Sequence, residues 1–410
     1  MGKSKFFAGQ PIFSQLLQFI PRHLVQELSQ QTQADRYCKR FFSFDHLISM
    51  LYACFFQVTS LRELTTGLLA NSHRLEHLGI TNTPRRSTLS DANTRRDAVF
   101  FERLYHRLYQ MYFPDSRAGL SKENELFIVD SSTITLFSNV MQGAGTFGSN
   151  GKKKGGVKVH TLINAQHDLP AFVRITEARH TDVSQLQHLS LPAGSVIVFD
   201  KGYTSYQQFN QWDQQNITWI SRCRKGATYC IDEKRLLQPE SAEAGVISDQ
   251  WVTLGRPSNE KVVPLVKARL ILFYDNTQDR HFEFITNDDH SSPEQIAHYY
   301  KKRWQIELLF KRIKQRYPLR YFLGDTPNAI KIQIWCALIC DLLVKVVMNQ
   351  LNRIKSVKWS YANLAAMIKH HLMTYINLIE FLKNPEKAML KYKPPEPQLK
   401  LWGLQIEKPT

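Results

Sequence analysis

Residues 299–314 read YYKKRWQIELLFKRIK, a run without Gly or Pro. Trp304, Ile306, Leu308, Leu309, Phe310 and Ile313 have the length and spacing of a helix. Projected at about 100° per residue, these apolar positions cover most of the circumference, the pattern of a buried helix. Tyr300, Arg303, Glu307 and Lys314 nevertheless fall in one stripe, within about 60° of each other. A carboxylate on such a helix is costly to bury without a partner. Glu307 is either a structural ion-pair partner of Arg303 at i−4, or it faces a divalent metal ion while its basic neighbours face phosphate. The rest of the chain decides between the two.

The chain has 410 residues, enough for two or three domains, and 43% are hydrophobic, so it folds around a sizeable core. Its 53 Lys and Arg outnumber 36 Asp and Glu, a formal charge of +17 spread along the chain rather than gathered in a tail. A basic globular protein of this kind suits a polyanion, and nucleic acid is the commonest; simple solubility charge is the alternative. The cysteines Cys38, Cys54, Cys223, Cys230, Cys336 and Cys340 form no CxxC pair and no zinc-ligand spacing, which fits a reduced, cytoplasmic protein. The start MGKSKF shows no secretory signal and, with Phe6, misses the myristoylation pattern. The longest apolar run, Ile334 to Met348, is broken by Asp341 and Lys345 and is too short for a bilayer, so a core helix and no membrane partner are expected.

Residues 1–115 read as a helical domain. Phe13 to Leu28 is apolar at helical spacing with a break at Pro21, Ser43 opens a helix through Phe55, and Ser60 with Glu63 is a capping box. Thr88 with Asp91 offers a further cap for a helix that carries Arg85, Arg86, Arg95 and Arg96, with Ser87, Ser90 and Asn93 between them. Short helices ending in an Arg/Ser/Asn-rich one fit a helix-turn-helix type DNA reader; a solvated charged face is the alternative. Pro114 to Glu125 reads as a linker.

The period then changes. Leu126 to Val129 is a short apolar strand ending on Asp130. The segment GAGTFGSNGKKKGG (143–156) is a glycine-rich basic loop in which Lys152, Lys153 and Lys154, with Lys158 beyond, suit a phosphate backbone; a solvated hairpin tip is the alternative. From Val157 to Ile163 Lys158, His160 and Leu162 alternate with Val157, Val159 and Ile163, and Ala171 to Thr176 makes a third strand. His180 and Asp182 fall in the next turn. Ser195 to Phe199 is an apolar strand ending on Asp200, with Gly202 suited to a tight turn after it. About 217–286 is mostly strand, and helices return from Pro293, capped by Ser292. The expected division is a helical domain over 1–115, an α/β catalytic core over 120–325 with a β-rich insertion over 217–286, and C-terminal helices and tail over 326–410.

Asp130 and Asp200 both follow strands, and in α/β folds functional groups gather at strand carboxyl ends. Side by side, two aspartates resist ionising unless a cation sits between them. With Glu307 they make an oxygen-ligand site suited to Mg²⁺ or Mn²⁺, and two such ions about 4 Å apart serve phosphoryl transfer. Tyr300, Arg303, Glu307 and Lys314 match the Y-x2-R-x3-E-x6-K signature without a gap. Together with D-x-G-Y at Asp200 to Tyr203, strand-terminal Asp130 and FITN at 284–287, the chain resembles DDE-type insertion-sequence transposases of the insertion-sequence-four family, firmly over about 126–350. The resemblance implies an RNase H-like core with a β insertion and cut-and-paste DNA transposition. It implies that Asp130, Asp200 and Glu307 bind the metals and that Tyr300, Arg303 and Lys314 contact phosphates of the transposon end. Double-stranded DNA is then the partner, with a homodimer formed on it. Trp212, Trp219 and Trp251 precede the catalytic helix but none lies just ahead of it, so no base-stacking tryptophan is assigned. A transposase-derived DNA-binding protein that no longer cuts, or a metal-dependent nuclease of the same fold, are the alternatives.

Overall fold

The computed structural model describes residues 9–80, 83–114, 125–136, 142–147, 153–255, 265–354, 358–391, 400–401 and 404–405. The N-terminal helices are α1 (Ile12–Leu17), α2 (Arg22–Gln31), α3 (Ser43–Phe56), α4 (Leu61–Ala70), α5 (Ser72–Leu75), α6 (Arg86–Arg95) and α7 (Val99–Tyr112). Pro21 separates α1 from α2, and Ser60 caps α4 by accepting the Glu63 N–H. Thr88 caps nothing: α6 starts two residues earlier, behind Arg85, so Thr88 lies inside the helix. Most of the expected linker, 115–124, lies outside the described residues.

The sheet strands are β1 (Leu126–Thr135), β2 (Gln142–Phe147), β3 (Lys153–Asn164), β4 (Leu169–Glu177) and β5 (Val196–Phe199), then helix α8 (Tyr206–Gln214), β6 (Thr218–Arg222), β7 (Tyr229–Lys234), helix α9 (Pro239–Glu243), β8 (Val246–Leu254), β9 (Val266–Asp275) and β10 (Arg280–Thr286). Within one sheet the order β4-β3-β1-β5-β6 has β1, β3 and β4 antiparallel and β5 and β6 parallel to β1, the RNase H-like order that the resemblance implies. The two described flanks of the glycine-rich segment pair as β2 and β3, and its centre, 148–152, lies outside the described residues. The insertion extends the core sheet. β10 pairs with β6, and β9, β8 and β7 follow outward in the same sheet. β7 is an exposed edge with no apolar alternation, which is why its sequence gives no strand signal.

The remaining helices are α10 (Pro293–Lys302), α11 (Trp304–Arg316), α12 (Pro327–Arg353), α13 (Tyr361–His370), α14 (Leu378–Lys383) and α15 (Pro385–Lys391). The 299–314 run is therefore two helices. The N–H of Arg303 bonds to Tyr300 O and that of Ile306 to Arg303 O, i→i−3 bonds that tighten the chain at the junction. It is not buried all round either, for Trp304 is 58% and Leu308 51% exposed. α12, which holds the Ile334–Met348 run, is buried on nearly every side, and no described helix is long and apolar enough to cross a membrane.

One sheet face packs on α8 through Phe127, Val129, Phe199, Phe209, Trp212 and Trp219. The other takes α10 against Val196, Val198 and Ile220, and α11 with α12 against Ile128, Ile134 and Val159. The N-terminal helices join that second core, and Gln15 bonds to the backbone of Ile376 and Leu378. The described parts of 1–115 and 326–410 thus lie far apart in sequence but share one core with the sheet.

Candidate active site

Asp130 and Asp200 reach the same sheet face by strand parity. β1 pairs with β5 through Ile128 opposite Val198 and Val129 opposite Phe199. Side chains alternate, so Ile128 and Asp130 share a face with Val198 and Asp200, while Val129 and Phe199 turn to α8. β1 does not end at Asp130 as its sequence suggests. It continues to Thr135 on β3 alone, with Asp130 where the parallel pairing to β5 stops. Asp200 directly follows β5 and its Oδ2 accepts the Gly202 N–H at 3.4 Å. Gly202 supplies that N–H without a left-handed backbone.

The helix pair brings the other groups to this face. The Tyr300 hydroxyl donates to Asp200 Oδ1 at 3.3 Å, and its ring lies 5.0 Å from that of Phe284 on β10. Arg303 donates from Nη2 to Glu307 Oε1 at 2.7 Å and from Nη1 to Asp130 Oδ2 at 3.3 Å. Of the two openings posed by the sequence, the ion pair is present: Glu307 is a partner of Arg303, which also reaches Asp130. Lys314 Nζ donates to Thr133 O at 3.0 Å, tying α11 to β1 past Asp130. Burial pushes the Asp130 carboxyl up to about 6; Asp200 and Glu307 add to the rise, while the Ser131 N–H and Arg303 oppose it. Burial likewise pushes the Tyr300 hydroxyl up to about 12, so it remains a donor at neutral pH.

A hard divalent cation fits these residues in donor type and charge. The donors are carboxylate oxygens from three elements, and Asp200 and Glu307 each add to the rise of the Asp130 carboxyl that burial dominates. As the side chains stand, no three acidic, His or Cys residues among those described are close enough to share an ion. Arg303 lies between Asp130 and Glu307 and is bonded to both.

The other candidate residues divide. Arg85, Arg86 and Arg95 are exposed, Arg95 pairing with Asp91 at 2.6 Å. Arg96 is buried instead, donating to Ala34 O at 2.9 Å and Phe41 O at 3.0 Å, so it braces the α2–α3 connection and is no phosphate contact. Asn93 turns inward to His46 Nε2 at 2.8 Å, away from any base edge. Lys158 is committed to His180 O at 3.1 Å and Asp182 at 3.3 Å. His160 is a buried structural histidine, 2.9 Å from Thr176 Oγ1. Lys153 and Lys154 open β3, and Lys152 lies outside the described residues.

Sequence reasoning missed a polar cluster behind the site. The Ser131 hydroxyl donates to Asp182 Oδ1 at 2.7 Å, and Tyr203 of the D-x-G-Y block is buried beside it. Burial would raise the Asp182 carboxyl, but bonds from His160, Ser131 and Lys158 outweigh it and hold it down at about 2. Strand alternation is the one signal that places Ser131 and His160 away from the Asp130 face.

Residues 121–343 match the family model described as Transposase DDE domain, and residues 8–81 match Domain of unknown function (DUF4372). Three relatives carry transposase names. The protein y4zB of Sinorhizobium fredii is 30% identical over 66% of this chain and 73% of its own length. Those named for insertion sequence elements IS5377 of Geobacillus stearothermophilus and IS4SA of Synechocystis sp. are each 26% identical, over 60% and 64% of this chain and 63% and 71% of theirs. A piggyBac transposase synaptic complex with hairpin DNA overlays 94% of this chain and 84% of that one, at a TM-score of 0.44 and 10% identity. Transposases of the DDE family depend in general on divalent metal ions. Because the matched segment takes in the whole sheet and both helices that face Asp130 and Asp200, the chain belongs to the DDE transposase family and is a DNA transposase, an enzyme that acts on DNA.

Proposed function

We propose that Asp130, Asp200 and Glu307 are the three carboxylates of this transposase, that they hold two Mg²⁺ or Mn²⁺ ions, and that the enzyme excises and inserts its element by cut-and-paste. The observation that carries this reading is Arg303 spanning Asp130 and Glu307 while Tyr300, three residues earlier, holds Asp200. All three carboxylates answer to one helix junction. Ions bound there supply an activated oxygen nucleophile and charge stabilisation at the scissile phosphate.

The chain's own residues do the rest. Asp130 and Asp200 are fixed by β1 and β5, and Glu307 is carried to them on α11. Arg303 exchanges its carboxylate partners for phosphates of the transposon end, and Lys314 grips the same backbone from the next turns of α11. Tyr300 keeps Asp200 oriented through its hydroxyl. Water attacks first and displaces the 3′-oxygen, leaving a free 3′-hydroxyl and a 5′-phosphate; that hydroxyl then attacks a target phosphodiester and displaces its 3′-oxygen. The exposed Arg85, Arg86 and Arg95 at α6 present a face for reading double-stranded DNA, and Lys153 and Lys154, at the start of β3, are further candidates for backbone contact. The unbroken Y-x2-R-x3-E-x6-K spacing supports membership of the insertion-sequence-four group, and the protein acts as a homodimer on the paired ends.

Asp130→Ala, Asp200→Ala and Glu307→Ala are each expected to abolish Mg²⁺-dependent cleavage of duplex carrying the DNA that flanks the protein's own reading frame. Binding of that duplex should stay within about threefold. Normal cleavage by any one of the three would remove that residue from the site. Cleavage without joining of the freed ends would favour a nuclease of the same fold.

A further inference from the structure

Arg312 lies five residues beyond Glu307 on α11, only 13% exposed, and the chemistry above does not use it. Its Nη1 donates to Asp168 Oδ2 at 2.6 Å and its Nη2 to Asp168 O at 3.0 Å. Its Nε and Nη2 also reach the two oxygens of Asp341, each at 3.0 Å, a bidentate fork. Asp341, fully buried on α12, further accepts from the Tyr361 hydroxyl at 2.5 Å, and Lys345 adds a bond to Asp168 at 2.8 Å. Two cations face two anions, so the cluster is neutral and closed.

The apolar side of α11, Ile306, Leu309 and Ile313, holds the helix against the sheet but without direction, since hydrophobic contact does not fix roll or slide. A bidentate arginine does. The anchors are also well chosen. Asp168 sits in the turn between β3 and β4, with a left-handed backbone at φ 50°, and β3 is the strand paired to Asp130 through Thr161. Asp341 belongs to α12. Arg312 therefore ties α11 at once to the frame that carries Asp130 and to the helix behind it. A slip of one residue would move Glu307 by about 1.5 Å and turn it by about 100°.

We propose that Arg312, held by Asp168 and Asp341, is a positioning residue that sets Glu307 against Asp130 and Asp200. This rests on Glu307 being the third carboxylate. The test uses the full-length protein and duplex DNA flanking its own reading frame. The variants are Arg312→Met/Asp341→Leu, which removes both buried charges together, Arg312→Lys, which keeps the charge without the fork, and Asp168→Asn, which weakens one arm at the turn. Melting temperature, duplex binding, cleavage rate and the Mn²⁺ concentration giving half-maximal rate are measured for each.

The double variant is expected to melt near the parent and bind duplex within about twofold, yet cleave about tenfold or more slower with a several-fold higher Mn²⁺ requirement. Arg312→Lys falls between. A folded double variant that cleaves within about twofold of the parent, at an unchanged Mn²⁺ requirement, overturns the proposal. If that variant does not fold, Asp168→Asn decides: slower cleavage with a raised Mn²⁺ requirement supports positioning, and parental values overturn it. Glu307→Gln is run alongside. If it cleaves normally, the assignment of Glu307 itself has failed; if it is dead while the Arg312 set behaves as the parent, only the positioning role has.

Discussion

Arg303 neutralises two carboxylates at once, so its removal acts on metal and DNA in opposite senses. Arg303→Gln should bind Mn²⁺ about tenfold more tightly in the absence of DNA, because a competing cation is gone, while binding duplex more weakly with a salt slope reduced by about one. Mn²⁺ titration and salt-dependent duplex binding check both; weaker Mn²⁺ binding would mean Arg303 only props the site. Asp130 gives the pH test. Its carboxyl titrates near 6 in the fold against 3.8 ordinarily. Below about 4 both folded and unfolded chains hold the proton; between there and 6 only the folded chain does; above 6 the native state carries the full penalty, about 2 to 3 kcal/mol. Melts in chelator should therefore show Asp130→Asn more stable than the parent at pH 7 and no different near pH 4. The pairing of Arg303 with Glu307 was legible because i, i+4 spacing is local. Arg96 was not: it stands beside Arg95 in sequence, and only the tertiary fold turns one outward and the other into the core.

At the scale of the element, α11 separates a gripping side from a bare one although its sequence is apolar on both. Leu309 is buried against the sheet and α12, while Leu308, next to it, faces out. Leu309→Ala should cost about 2 to 5 kcal/mol in urea unfolding, and Leu308→Ala within about 0.5 kcal/mol. Equal losses would mean that α11 packs on both sides. Periodicity cannot make this distinction, since it reports which residues are apolar and not which neighbour arrives. The strands divide similarly. β5 and the LILFY stretch of β9 announce themselves as apolar runs, whereas the second half of β1, Asp130 to Thr135, reads as polar loop and is strand only because β3 lies beside it.

Across the whole molecule, the helices of 1–115 lean on α12, which enters the chain two hundred residues later. Met50 and Leu51 of α3 and Phe101 and Leu104 of α7 pack in the same cluster as Trp335, Leu338 and Leu342. A fragment ending at residue 115 is expected to lack a cooperative melt by circular dichroism, and a sharp transition in that fragment would show that the helical region is a domain in its own right. Sequence order suggested three successive units because linkers and composition are visible along a chain, and shared burial is not. The sheet has a consequence of another kind. Asp130 and Asp200 face the same way only because β1 and β5 keep count with each other. Exchange of Val for Ile along these strands leaves that count alone, but loss of a single codon between 126 and 129 would present Ser131 where Asp130 stood. For lineages of this protein, the strands before the two aspartates are open to substitution and closed to a change of length.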